Sequence, residues 1–233
     1  MTFLQDFFQD LRRAARANFI PALLLQAVAF SILWSYHHLP EAQAAFDRLA
    51  DFKTRTGPVF AFASSAIGGA IFPFILQSLQ RGSHRRIALS TLPIFIVFWG
   101  SRGWLVDGFY QLQSFLWGDN AHLSTLLAKI VCDLGLFSPL IGVPTLALIY
   151  GLADCNFQWK DFRRELRRGW YTRHAMPIVR MAFIVWLPAL FVIYALPQAL
   201  QFPVAAIIQC FWALVLVVLT DRTPPLVRVA ESV

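Results

Sequence analysis

The chain is 233 residues long, 58% hydrophobic and only 14% charged, with a formal net charge of +7. Ordinary soluble domains are less apolar and carry more charge, and one soluble core could not hide this much apolar surface. The composition excludes a conventional soluble domain and directs the reading toward lipid.

The opening "MTFLQDFFQDLRRAARANF" lacks the basic start, short apolar middle and small-residue cleavage site of a secretory peptide. Asp6 and Asp10 argue against a mitochondrial presequence. Phe3, Leu4, Phe7, Phe8 and Leu11 share one helical face, so residues 1–17 are expected to form an amphipathic helix on the membrane surface.

Six uncharged or nearly uncharged runs then recur at the length a bilayer requires, about 20 residues of helix for roughly 30 Å of hydrocarbon. The first covers 18–36 and ends in Trp34 and Tyr36, where interfacial aromatics belong. The second covers 58–79 and has no charge; Ser65, Ala66, Gly69 and Ala70 give it the small-residue spacing of close helix contacts. The third, 87–106, is interrupted by Arg102, with Asp107 just beyond it. The fourth, 125–150, carries Lys129 and Asp133 one turn apart and repeats glycine at 135 and 142. The fifth and sixth, 178–196 and 200–219, are joined by a tight hairpin, and 220–233 is a tail. Prolines at 73, 93, 139, 144, 188 and 203 sit inside these runs, which membrane bundles tolerate at the cost of kinks. The fold class expected is therefore all-α: a single integral membrane domain, a polytopic bundle of about six spans over 18–219, with amphipathic interfacial helices.

The cations sort by side. With six spans, Arg12, Arg13, Arg16, Arg81, Arg85, Arg86, the cluster from Lys160 to Arg173, Arg222 and Arg228 share one side, while only Arg48, Lys53 and Arg55, in the first loop, face the other. Cytoplasmic loops carry the basic excess, so both termini are expected in the cytoplasm and a bacterial inner membrane is the simplest home. The basic charge follows topology and no nucleic-acid motif accompanies it, so no nucleic-acid partner is expected. The stretch 156–174 reads as a second surface helix, with Trp159, Phe162, Leu166 and Trp170 in one stripe and Lys160, Arg164, Arg167 and Arg168 facing anionic lipid headgroups. A solvated loop helix that satisfies only the charge rule is the plainer alternative.

No catalytic constellation emerges. His37, His38, His84, His122 and His174 lie in loops or at span ends, and Cys132, Cys155 and Cys210 share no ligand spacing, so no enzyme activity, metal, cofactor or disulfide is expected. The intramembrane charges carry more information. Each costs about 2.5–3.5 kcal/mol at a helix centre and therefore faces the protein interior or water. Arg102, Asp107, Lys129 and Asp133 are the candidate pore-lining groups, either as interhelical pairs that neutralise each other or as the lining of a narrow path for anionic or neutral small solutes.

From about 81 to 219 several motifs occur in a characteristic order: "RGSHRRIAL", "GSRGWLVDGFYQLQSFLWG", "KIVCDLGLFSP", "WKDFRRELRRGW" and "MPIVRMAFIVWLP". Together they resemble the Mpv-type family of small integral membrane proteins of peroxisomes and the mitochondrial inner membrane. The matching positions are Tyr110, Lys129, Asp133, Pro139, Trp159, Pro177, Phe183, Pro188 and Trp212, whereas Leu134, Met176 and Ala182 stand where the family carries polar or amphipathic residues. The resemblance implies a non-enzymatic membrane protein that passes small solutes, though that family is usually described with four spans. Two other functions remain open at this stage: a scaffold or assembly factor whose charges are structural, and a lipid-modifying enzyme gathering His37, His38 or His122 beside a carboxylate.

Overall fold

The computed structural model describes residues 23–79, 89–166, 170–171 and 175–220. Among them every regular element is helical, and no strand occurs. The expected surface helix at 1–17, the start of the first span and the tail from 221 lie outside the described residues.

Helix α1 covers 23–38, and after the extended residue Leu39 the chain enters α2, Pro40–Thr56. This corrects the expectation of a loop between the first two spans. Pro40 presets the first helical dihedral, and Gly57, at φ +53°, stops the helix in a conformation that only glycine adopts freely. Helix α3, Pro58–Leu79, matches the second expected span. Helix α4, Leu92–Trp117, runs eleven residues beyond the expected end of the third span and encloses Asp107. Helix α5, Leu123–Asp154, contains the fourth span. A short α6, Trp159–Leu166, precedes α7, Met176–Ala195, and α8, Gln198–Thr220.

Helices α3 and α5 each widen into a stretch of π-helix, Ile67–Ile71 in α3 and Asp133–Gly142 in α5. Each closes immediately before an Xaa-Pro pair, Phe72-Pro73 and Val143-Pro144. In both, the residue before the proline donates its backbone N–H five residues back, Phe72 to Ile67 and Val143 to Ser138. A proline ring in a tight α-turn would strike the carbonyl four residues earlier; widening the turn moves that carbonyl away.

Helices α3 and α4 pack antiparallel at close range. A Cβ on Gly103 would fall 2.1 Å from the Ala61 carbonyl oxygen and 2.6 Å from Ser65 Cβ, and one on Gly69 would strike the Trp99 ring. The small-residue face predicted on the second span is therefore a contact face. Gly135, by contrast, faces outward and marks no contact. Helix α8 runs parallel to α3, with Phe202 against Phe60 at one level and Cys210 against Gly68 further along. Helices α4, α5 and α7 alternate in direction, which places the 118–122 turn, the α7–α8 turn and α2 at one end of the bundle. The main core joins Leu25 and Ala29 of α1 to Val185, Ala189, Leu190 and Ile193 of α7 and to Leu200, Val204 and Ile208 of α8. The Gln26 side-chain amide ties α1 to the Val185 carbonyl at 2.7 Å.

Gly103→Ala should lower stability by about 1–3 kcal/mol through overpacking. Gly108→Ala, on the same helix with nothing within 4 Å of the new Cβ, should be neutral or slightly stabilising. Thermal unfolding of the two variants in one detergent checks the contrast.

Candidate functional site: a buried polar column

The π-helix opening at Asp133 determines what its carboxylate meets. With hydrogen bonds closing over five residues, positions 133 and 138 stack on one face, and Ser138 Oγ donates to Asp133 Oδ1 at 3.4 Å. The other oxygen, Oδ2, accepts from the Tyr194 hydroxyl of α7 at 2.8 Å. Tyr194 in turn accepts from Gln113 Nε2 of α4 at 2.6 Å, and its ring packs edge-on against Tyr110, centroids 5.3 Å apart. Asp133 is 7% exposed and Gln113 1%. Three helices thus meet through one carboxylate, one phenol and one amide.

Lys129, 1% exposed, does not pair with Asp133. Its Nζ donates to Ser114 Oγ at 3.0 Å, lies 3.7 Å from Asp119 Oδ1 and sits 5.6 Å from the centre of the Tyr194 ring. Helical side chains lean toward the helix N-terminus, so the long lysine stem runs away from Asp133 and up to the 118–122 turn. Asp119, 45% exposed, also accepts from the Gln198 backbone at 3.2 Å and from Gln201 Nε2 at 3.4 Å, and so fastens the α7–α8 turn to the same point.

Arg102 and Asp107 likewise find partners elsewhere. Five residues apart on an α-helix, they point to different faces. The Arg102 guanidinium donates to the Gly142 carbonyl at 2.7 Å and to Thr145 Oγ1 at 3.4 Å, with Trp99 stacked 5.6 Å away. Nearby, the Tyr171 hydroxyl donates to the Pro139 carbonyl at 2.8 Å, the acceptor that Pro144, lacking an N–H, cannot serve in the five-residue pattern. Asp107 is held by Lys53 of α2, Nζ 2.9 Å from Oδ1, and by Gln111 Nε2 at 2.9 Å on Oδ2. Lys53 is buried, which corrects its assignment to an open loop.

The four charges singled out from sequence therefore all lie in or against the interior, but among the described residues no two of them form an ion pair with each other: Asp107 takes Lys53 and Lys129 takes Asp119. Lys53, Asp119, Gln113, Tyr194 and Gln201 complete the arrangement and were not singled out, because isolated polar residues in apolar or loop segments show no spacing signal. Of the surface cations, Lys160 and Arg164 are exposed on α6, while Arg167 and Arg168 lie outside the described residues. The apolar stripe of α6 holds only partly: Phe162 is buried against Gly151, whereas Trp159 is exposed. His37 and His38 pack against Tyr36 and Trp34, and among the described residues no group of three metal-ligating side chains converges.

Lys53→Ala leaves Asp107 buried without its cation and should cost about 3–5 kcal/mol, whereas the paired change Lys53→Met with Asp107→Leu should recover most of that loss. Unfolding midpoints of the wild type, the single and the double variant in one detergent measure the difference.

No family model, no curated protein and no solved structure matches this chain.

Proposed function

We propose that the chain is a polytopic membrane protein of about six spans, a distant relative of the Mpv-type family it resembles, and that its polar column is a path for small solutes. Two helices, α3 and α5, are long and apolar enough to cross a membrane by length and composition. The surface supports placing the remainder in lipid as well. Large apolar side chains such as Leu24, Phe30, Trp34, Val97, Leu105, Val131 and Leu140 are exposed, while Lys53, Asp107, Gln113, Lys129, Asp133 and Gln201 are buried. That inversion is costly in water and favourable in hydrocarbon. Among the described residues Lys160, Arg163 and Arg164 lie on α6, and on the charge rule that end is cytoplasmic, which suits a bacterial inner membrane.

The observation that carries the path is the continuity of the column. From Asp119 in the 118–122 turn through Lys129, Tyr194 and Asp133 to Arg102 at Gly142 and Thr145, polar groups of three helices follow one another along α5. Leu123 to Thr145 covers roughly 30 Å at the ordinary helical rise, the thickness of a hydrocarbon core. A scaffold reading has one observation in its favour: Lys53 and Asp107 neutralise each other and tie α2 to α4, a role that needs no solute.

Purified protein in liposomes should pass small solutes faster than protein-free vesicles, and Lys129→Ala or Asp133→Ala should change the rate at least several-fold with the fold retained by circular dichroism. Absence of passage for every solute tried, or rates indifferent to both substitutions, would favour the scaffold instead.

A further inference from the structure

Two amide oxygens inside the column have no hydrogen-bond partner. Gln113 Oε1 and Gln201 Oε1 are both enclosed, on side chains 1% and 0% exposed, and neither meets a donor among the described residues. Their orientation is not interchangeable. The one hydroxyl proton of Tyr194 goes to the Asp133 carboxylate, so only an N–H of Gln113 can meet the phenol oxygen, and the carbonyl is left free. Gln201 faces two acceptors, the Asp119 carboxylate at 3.4 Å and the Leu196 carbonyl at 3.1 Å, so it too must present nitrogen to them and leave its oxygen over. A buried acceptor without a donor costs about 1–3 kcal/mol, and such orphans call for a water, an ion or a ligand.

The two glutamines flank one place. Gln201 Nε2 and Lys129 Nζ approach the same oxygen of Asp119, and Gln113 adjoins Ser114, which accepts from Lys129. Gln113 also holds the hydroxyl of Tyr194, whose ring lies beneath Lys129. The charge at this place is balanced: the Lys129 ammonium has Asp119 as its counter-ion at 3.7 Å. An entering anion meets that carboxylate first, and an entering cation meets the ammonium. What remains unsatisfied is acceptor oxygen.

Resting on the solute-path reading above, we infer that the column is selective for uncharged hydroxyl-bearing solutes, glycerol-like polyols, which donate to Gln113 Oε1 and Gln201 Oε1 as they pass Lys129, and that Asp119 excludes small anions by neutralising Lys129. A hydroxyl both donates and accepts, so it replaces its lost hydration at each step; chloride would have to displace the Asp119 carboxylate. This narrows the sequence expectation of anionic or neutral solutes to neutral ones.

The test is stopped-flow light scattering of proteoliposomes under glycerol and under potassium chloride gradients, the latter with valinomycin so that chloride limits the flux. Wild type should pass glycerol at least tenfold faster than chloride. Gln113→Met with Gln201→Met, which keeps side-chain length and removes the oxygens, should slow glycerol at least fivefold. Asp119→Asn, which keeps the side-chain shape and an acceptor oxygen for the α7–α8 turn and whose retained fold is checked by circular dichroism, should raise chloride flux at least fivefold by freeing the charge of Lys129. Chloride passing as fast as glycerol in wild type, or Asp119→Asn leaving chloride unchanged, would overturn the selectivity while leaving a path intact. Unchanged glycerol flux in the double glutamine variant would do the same. Passage of neither solute would overturn path and selectivity together.

Discussion

A carboxylate at the centre of an apolar bundle is the constraint around which the other parts arrange themselves. Asp133 cannot be solvated by lipid or by Leu and Phe side chains, so its oxygens must be met by the protein. Ser138 serves one only because the backbone between them is π-helical, and that widening ends where Pro144 requires it. Tyr194 serves the other only because α7 runs alongside α5 with its last turn at the same level. Gln113 then orients Tyr194. A local backbone irregularity, a helix pairing and a side-chain network thus follow from the placement of one acid.

The same logic explains why the charges take partners across helices. A pair four residues apart on one helix holds that helix to nothing. Lys53 with Asp107 and Arg102 with the Gly142 carbonyl join helices distant in sequence, Lys129 with Asp119 ties α5 to the turn before it, and each replaces lost hydration with a contact that also sets how the segments adjoin. Removing one partner leaves the other unmet, so these contacts specify the arrangement more than they add to its net stability. The apolar residues impose less: they cover the outside and fill the core between α1, α7 and α8, where close packing along Gly69 and Gly103 sets the distance between α3 and α4.

Much of this was legible beforehand, and the reasons differ by element. Helix α3 was visible because an uncharged run bounded by Pro58 and a polar exit has one outcome, and its small residues marked a contact face. Helix α5 was visible by the same test. Helix α2 was missed because its polar, weakly apolar sequence resembles an ordinary loop; only the proline at its start and the glycine after it hinted at bounded structure. The end of α4 was placed too early because Asp107 looked like the edge of a span, when it is instead an interior group with a cation waiting on α2.

Composition and the order of apolar runs, by themselves, determined that the chain is helical, that it carries stretches of membrane-crossing length, and that Arg102, Asp107, Lys129 and Asp133 are costly wherever they lie, because these follow from length, period and charge along one segment. Which group each charge meets was decided by tertiary structure alone. Asp119, Tyr194, Gln113 and Gln201 become neighbours through helices whose sequence separation exceeds any spacing rule, and the direction of a buried amide is set by the donors and acceptors that packing brings to it.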